Sequence, residues 1–259
     1  MDGERLRIKR AYFVQIVGLL ILLWFGVGGV SAMHVSCGDY INTNTMLDND
    51  LSCYASAIYI NASYITFDCN GYRITGLSGG TGIIAENKNN IIIKNCILED
   101  FYNGLHLSAT NQSLLLNNTA QYNFNLGFYI SESDDNTLMY NTAKNNSYYG
   151  FLLFVSDNNT LTYNTAQYNL DYGFVLGGLN NALTYNTAQD NIGGFKLTGI
   201  NNTLSYNTAQ NNIGNGFFLS SSSDNTLILN TALGNSNSGF ILYGTNSLNT
   251  LTYNTAQNN

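Results

Sequence analysis

The 259 residues include no proline, 10% charged and 44% hydrophobic side chains, and a formal net charge of −7. The abundance of Asn, Gly, Thr, Ser and Tyr speaks against an α-rich domain, which draws on Glu, Lys, Arg and Ala, while the apolar fraction speaks against a disordered low-complexity tract. Four of the nine bases (Arg5, Arg7, Lys9, Arg10) and two of the sixteen acids (Asp2, Glu4) lie in the first ten residues, which leaves five bases against fourteen acids beyond Ala32, near −9; such a chain is not expected to bind nucleic acid.

The first element is an export segment. MDGERLRIKR is a basic stretch, AYFVQIVGLLILLWFGVGGV an apolar one, and Val30 and Ala32 are the small residues of a cleavage site. Residues 1–32 are therefore expected to be a signal peptide cut after Ala32. The alternative is an uncleaved anchor, because the apolar run is long enough to span a bilayer. In either case the remainder lies outside the membrane, which places the protein extracellularly, at the cell surface or in the periplasm. The oligomeric state is left open.

Four cysteines follow, at 37, 53, 69 and 96. An even count in an exported chain points to disulfides with three possible connectivities. Cys37–Cys53 is the expected pair, stapling an N-terminal cap segment over residues 33–62, with Cys69–Cys96 as the remainder. The spacings match no zinc pattern.

From residue 63 to 259 the chain repeats. The phrase N-T-L-x-Y-N-T-A-Q recurs, with Thr-Ala pairs at 119, 142, 165, 187, 208, 231 and 255. Steps of 21 to 24 residues are too short for propeller blades and lack the Leu content of leucine-rich repeats. Each unit carries an aliphatic residue (Leu115, Leu138, Leu161, Leu183, Leu204, Leu227, Leu251), then an Asn three residues on (Asn118, Asn141, Asn164, Asn186, Asn207, Asn230, Asn254), and a second Asn five residues later (Asn123 to Asn259). Asn95 reads as the same position one unit earlier. A Gly-apolar-x-apolar tetrad follows, as in GFYI from 127 and GFVL from 173. Its period of two predicts a short strand with the two apolar side chains inward and the variable one outward. One unit cannot bury its apolar face, whereas stacked units can, each strand pairing with its copy one turn away. The fold class is thus all-β, a right-handed single-stranded parallel β-helix of about 8–9 coils with about 23 residues per coil. Asn suits the left-handed bends between strands, and its amide can bond its copies along the stack.

These coils, and CGDYINTNTMLDNDLSC…ITFDCNGYRITG over residues 37–76, resemble the NosD-type and pectate-lyase-like β-helix superfamily across residues 37–259. The resemblance implies the fold and leaves function open, since the scaffold carries lyases, hydrolases, epimerases, adhesins and noncatalytic surface proteins. Its NosD branch implies periplasmic copper supply. Copper calls for clustered His, Met or Cys, and beyond Ala32 there are His34 and His106 with Met33, Met46 and Met139 scattered; no metal motif is read. Lyase relatives imply Ca²⁺-binding acids with a base, and hydrolase relatives an Asp cluster or carboxylate pair. Arg73 is the one Arg beyond Ala32, and Lys88, Lys94, Lys144 and Lys196 share no column. Asp134, Asp135, Asp157 and Asp224 recur in loops, as turn formers or as a weak Ca²⁺ or glycan edge.

The outward position of the tetrad reads Ile84, His106, Tyr129, Leu152, Val175, Lys196, Phe218, Ile241. So apolar a file marks either a partner surface or the ordinary strand preference for β-branched and aromatic residues. A second column, Tyr140, Tyr163, Tyr185, Tyr206 and Tyr253, is either a structural ring ladder or a sugar platform. No catalytic residues and no resident cofactor are expected. The functional expectation is a noncatalytic surface or secreted protein whose ligand, a polysaccharide or another cell-surface component, contacts Tyr129, Leu152, Val175, Lys196, Phe218 and Ile241, with Asp134, Asp135 and Asp157. The alternatives are a polysaccharide lyase or glycoside hydrolase and, third, a NosD-like copper-associated protein. The sequence stops inside a coil at LTYNTAQNN, and the expectation is a truncated product, a fragment or an end that docks on another chain.

Overall fold

The structure is a computed structural model that describes residues 31–32, 34–245 and 247–259. The export segment lies outside the described residues except for Ser31 and Ala32, which pair as a short strand with Thr45–Met46.

The repeat builds three parallel sheets of eleven, ten and ten strands, one strand per coil in each. The first sheet takes the N-T-L strands, the second the T-A-Q strands, and the third the Gly-apolar-x-apolar strands. Leu138, Leu161 and Leu183 stand in register in the first, Ala143, Ala166 and Ala188 in the second, and Phe151, Phe174 and Phe195 in the third. All nine are fully buried. Successive Phe rings stack 4.7–4.8 Å apart from Phe128 to Phe240, the spacing that neighbouring strands impose. The small residues have a steric cause: a Cβ on Gly127 would lie 2.7 Å from the carbonyl oxygen of Gly150 and 2.9 Å from the Cβ of Ala143. Eight strands of the third sheet come from residues 63–259; the segment expected as a cap supplies the other two, Asp39–Ile41 and Ile58–Ile60, and joins the other sheets as well.

The Asn files bond as continuous ladders. The Oδ1 of Asn164 accepts from the backbone N–H (2.9 Å) and the Nδ2 (3.0 Å) of Asn141, while its own Nδ2 donates to the Leu138 carbonyl (2.8 Å) and to Asn186 Oδ1 (3.0 Å). The second file, Asn123 to Asn259, repeats the pattern. A third, Asn136, Asn159, Asn181, Asn202, Asn225 and Asn249, runs beside the loops. Hydroxyls do the same work at a fourth corner, where Ser156 Oγ accepts from the Ser133 N–H at 3.0 Å.

The bends depart from expectation. The left-handed residue is the one before each ladder Asn: Tyr140, Tyr163, Tyr185 and Tyr206 at the first corner have φ of 56–57°. The ladder Asn turns its side chain inward, and its neighbour takes the strained backbone. Asn95 also sits one place off: Asn117 Nδ2 donates to it (2.9 Å), while the Cys96 N–H donates to Asn118. Cys96 therefore occupies the ladder position, and it is disulfide-bonded to Cys69 in the coil above, with Cα atoms 4.8 Å apart. A covalent rung stands where later coils use amides. Cys37 pairs with Cys53.

Candidate binding face

The outward file of the third sheet is continuous. Register partners run Tyr40, Tyr59, Ile84, His106, Tyr129, Leu152, Val175, Lys196, Phe218, Ile241. Strand alternation sends these side chains away from the core, yet from Tyr59 to Ile241 they cover one another and are half-buried, Val175 to 7% exposure. His106 stacks on Tyr129 with centroids 4.4 Å apart, and its Nε2 lies 3.0 Å from Ser131 Oγ. Burial lowers the imidazole pKa, against a smaller opposing pull from Glu86, so the ring is uncharged at neutral pH.

The chemistry of this face gathers around Lys196. Its ammonium is 5.6 Å from the ring centroid of Tyr172 and 6.0 Å from that of Phe218, and the two rings lie 6.3 Å apart, 20° from parallel. Tyr172 reaches down the stack over Gly193, where an added Cβ would fall 2.3 Å from the ring, and hydrogen-bonds the Asn215 side chain two coils on. Burial raises the Tyr172 phenol, an effect that the Asn215 bond opposes. Burial likewise raises the Asp171 carboxyl against the Tyr172 backbone amide and Lys196. The Tyr149 hydroxyl donates to Tyr148 (3.0 Å), and burial pushes its phenol well above the usual value. Tyr149, Asp171, Tyr172, Gly193 and Asn215 are absent from the expected site. A legible signal existed: one coil carries Gly193-Gly194 where its neighbours carry a larger residue before a single Gly, and Tyr149 and Tyr172 fill that place in the two coils above.

The loop acids lie elsewhere. Asp134 Oδ1 accepts the N–H of Asp157, and Asp157 Oδ1 that of Leu179, each at 2.7 Å; both carboxylates cap the coil below. Asp135 occupies a left-handed turn position, φ 57°. The Tyr column faces outward at its corner, with Tyr140, Tyr163, Tyr185 and Tyr206 stacked at 5.0–5.3 Å. Each ring covers its neighbour's face, so the column offers edges and hydroxyls. Arg73 pairs with Glu99 (2.7 Å) and Lys94 with Asp68 (3.1 Å), both on other sheets. Among the described residues, no three His, Cys, Asp or Glu side chains converge as metal ligands.

Three parallel sheets wound around amide ladders, with one lateral face rich in aromatic and aliphatic side chains, define a parallel β-solenoid. Residues 31–188, more than half of the chain, match the family described as "Right handed beta helix region", and the chain belongs to that family. Residues 177–259 also match the description "Periplasmic copper-binding protein (NosD)". That stretch contains no His, Cys or Met, and all four cysteines are in disulfides, so its residues do not fit a copper site. No curated protein matches the chain in sequence. Among solved structures it is similar to the periplasmic alginate epimerase AlgG (TM-score 0.69, 17% identity, 84% of this chain and 61% of that one). It is also similar to the Azotobacter vinelandii mannuronan C-5 epimerase AlgE4 A-module (0.64, 13%, 84% and 80%) and to pectate lyase Pel9A (0.59, 16%, 80% and 72%). The chain spans 61% of the length of AlgG, and the likeness at these identities is one of fold.

Proposed function

We propose that this protein is an exported, noncatalytic β-helix that binds a polysaccharide along the outer face of its third sheet. The observation that carries the reading is the unbroken file from Tyr129 to Ile241, in register over six coils and flanked by Tyr149, Tyr172 and Asn215. An extended surface of apolar side chains with a few placed polar groups suits a polymer lying along the stack. The fold neighbours named for alginate epimerisation and pectate lysis support a carbohydrate ligand, and the two disulfides support a compartment outside the cytoplasm. The test is a glycan array of the purified chain, with each bound polymer then incubated and its chain length and uronate epimers measured. Binding without turnover is expected. Turnover overturns the noncatalytic reading, and an array without binding overturns the ligand class.

A second reading, an enzyme acting on polysaccharide, draws on a specific observation. Asp171 and Tyr172 beside Lys196, and Tyr149 near Asp171 and Tyr172, are all shifted upward, and perturbed groups gather at active sites. Under that reading Asp171→Asn abolishes turnover, while alanine at Asp134, Asp135 and Asp157 leaves it intact.

A further inference from the structure

The face around Lys196 carries little net charge, and this separates it from a site for acidic polymers. Across the third-sheet strands from Thr81 to Tyr243, with the two residues before each glycine, the fixed charges are Glu86, Asp171 and Lys196. His106 adds none at neutral pH. The remaining bases beyond Ala32 stand elsewhere: Arg73 and Lys94 in their ion pairs, Lys144 on the second sheet, and Lys88 in the turn after Glu86. A polyuronate brings one carboxylate per sugar, and a chain near −9 repels it at long range. Lys196 is one cation for many carboxylates, and it is already drawn between the Tyr172 and Phe218 rings with Asp171 close by. By contrast, Tyr129, Leu152, Tyr172 and Phe218 offer apolar surface for the C–H faces of pyranose rings. Asn215 and the Lys196 ammonium offer hydrogen bonds for uncharged hydroxyls.

We infer that the Tyr172–Lys196–Phe218 face selects neutral polysaccharides over polyuronates, so that its ligand class differs from those for which the alginate epimerases and the pectate lyase among its fold neighbours are named. This rests on the polysaccharide-binding reading above and narrows it.

The experiment is affinity electrophoresis of the full chain through gels containing mixed-linkage β-glucan, glucomannan or galactomannan, and through gels containing alginate or polygalacturonate, each at low and physiological ionic strength. Retardation is expected in at least one neutral gel and in neither acidic gel. Phe218→Ala and Tyr172→Ala should weaken neutral binding by about tenfold or more, as removal of aromatic anchors does. Phe218→Leu keeps the apolar bulk without the ring and should also lose binding, with an unchanged circular dichroism spectrum separating this from misfolding. Retardation by alginate or polygalacturonate, abolished by salt or by Lys196→Gln, overturns the neutral assignment while the polysaccharide reading stands. Neutral binding that survives both Phe218→Leu and Tyr172→Ala overturns the site. Free migration in every gel overturns the polysaccharide reading, and this inference with it.

Discussion

A ladder Asn in this stack is bonded on both sides. Asn186 accepts the backbone N–H and the amide of Asn164, and donates to the Leu161 carbonyl and to Asn207. Asn186→Ala strands buried donors and an acceptor that no water reaches, each costing about 1–3 kcal/mol. A loss of about 3 kcal/mol or more is expected in urea unfolding followed by circular dichroism; a loss below about 1 kcal/mol would show that the ladder is dispensable. The left-handed corners behave oppositely. Val155, 57% exposed, is β-branched at φ 49°, a conformation that costs such residues about 1–2 kcal/mol. Val155→Asn should therefore raise stability by up to about 1 kcal/mol, seen as a higher urea midpoint. The corner Tyr residues bear the same strain, and their stacking, about 0.5–1.5 kcal/mol per pair, offsets it.

At the scale of elements, the first coils are held by means that the later ones lack. Breaking a cross-link between residues 27 apart in sequence costs about 3 kcal/mol on the chain-entropy account. Cys69→Ser/Cys96→Ser should destabilise the early coils by that order, measured as lost amide-exchange protection in the strands near Cys69 and Cys96. Because Cys96 occupies the ladder position, Cys69→Ser/Cys96→Asn should recover part of the loss, and equal losses in the two double variants would deny the equivalence of rung and amide. The same coils carry the acid sensitivity. Burial pushes Glu99 up, but Arg73, Gln121 and Thr75 outweigh it and hold the carboxyl below its usual range; Asp68 is held low likewise by Asn95, the Asn70 amide and Lys94. A folded carboxyl below its unfolded pKa stabilises fully above the unfolded value, and the contribution is lost as pH falls through the folded one. The urea midpoint should drop as pH falls from about 5 to about 3. The drop should be shallower in Glu99→Gln, even though Asp100, raised by burial and by Glu99, titrates in the opposing sense.

For the whole molecule, stability is a sum of coils and the contacts between neighbours. Deleting residues 119–141, one register period, joins Asn118 to Thr142 with the inward sequence unchanged. The shortened chain should keep its β-type circular dichroism spectrum and lose stability in proportion to one coil; collapse to an unfolded spectrum would contradict independent stacking. Much of this was legible beforehand, because the same side chains return at every turn. The recurring Leu, Ala and Phe fix the inward files, the Gly-apolar-x-apolar alternation fixes the outward one, and Cys37–Cys53, the favoured pair among three possible connectivities, is the bond that forms.

What the linear order determined by itself is whatever each coil states locally: its period, which positions face the core, and which amides stand in line. Tertiary structure decided what depends on meeting a neighbouring turn. Only register places Cys96, and not Asn95, above Asn118. Only the backbone path shifts the left-handed residue to the position before the Asn and turns the Tyr rings outward. Only the gap at Gly193 lets Tyr172 cross a whole coil to reach Asn215 beside Lys196. Composition and periodicity describe one strand at a time, whereas these contacts join residues of successive coils, some twenty or more positions apart, whose separation the loop lengths set.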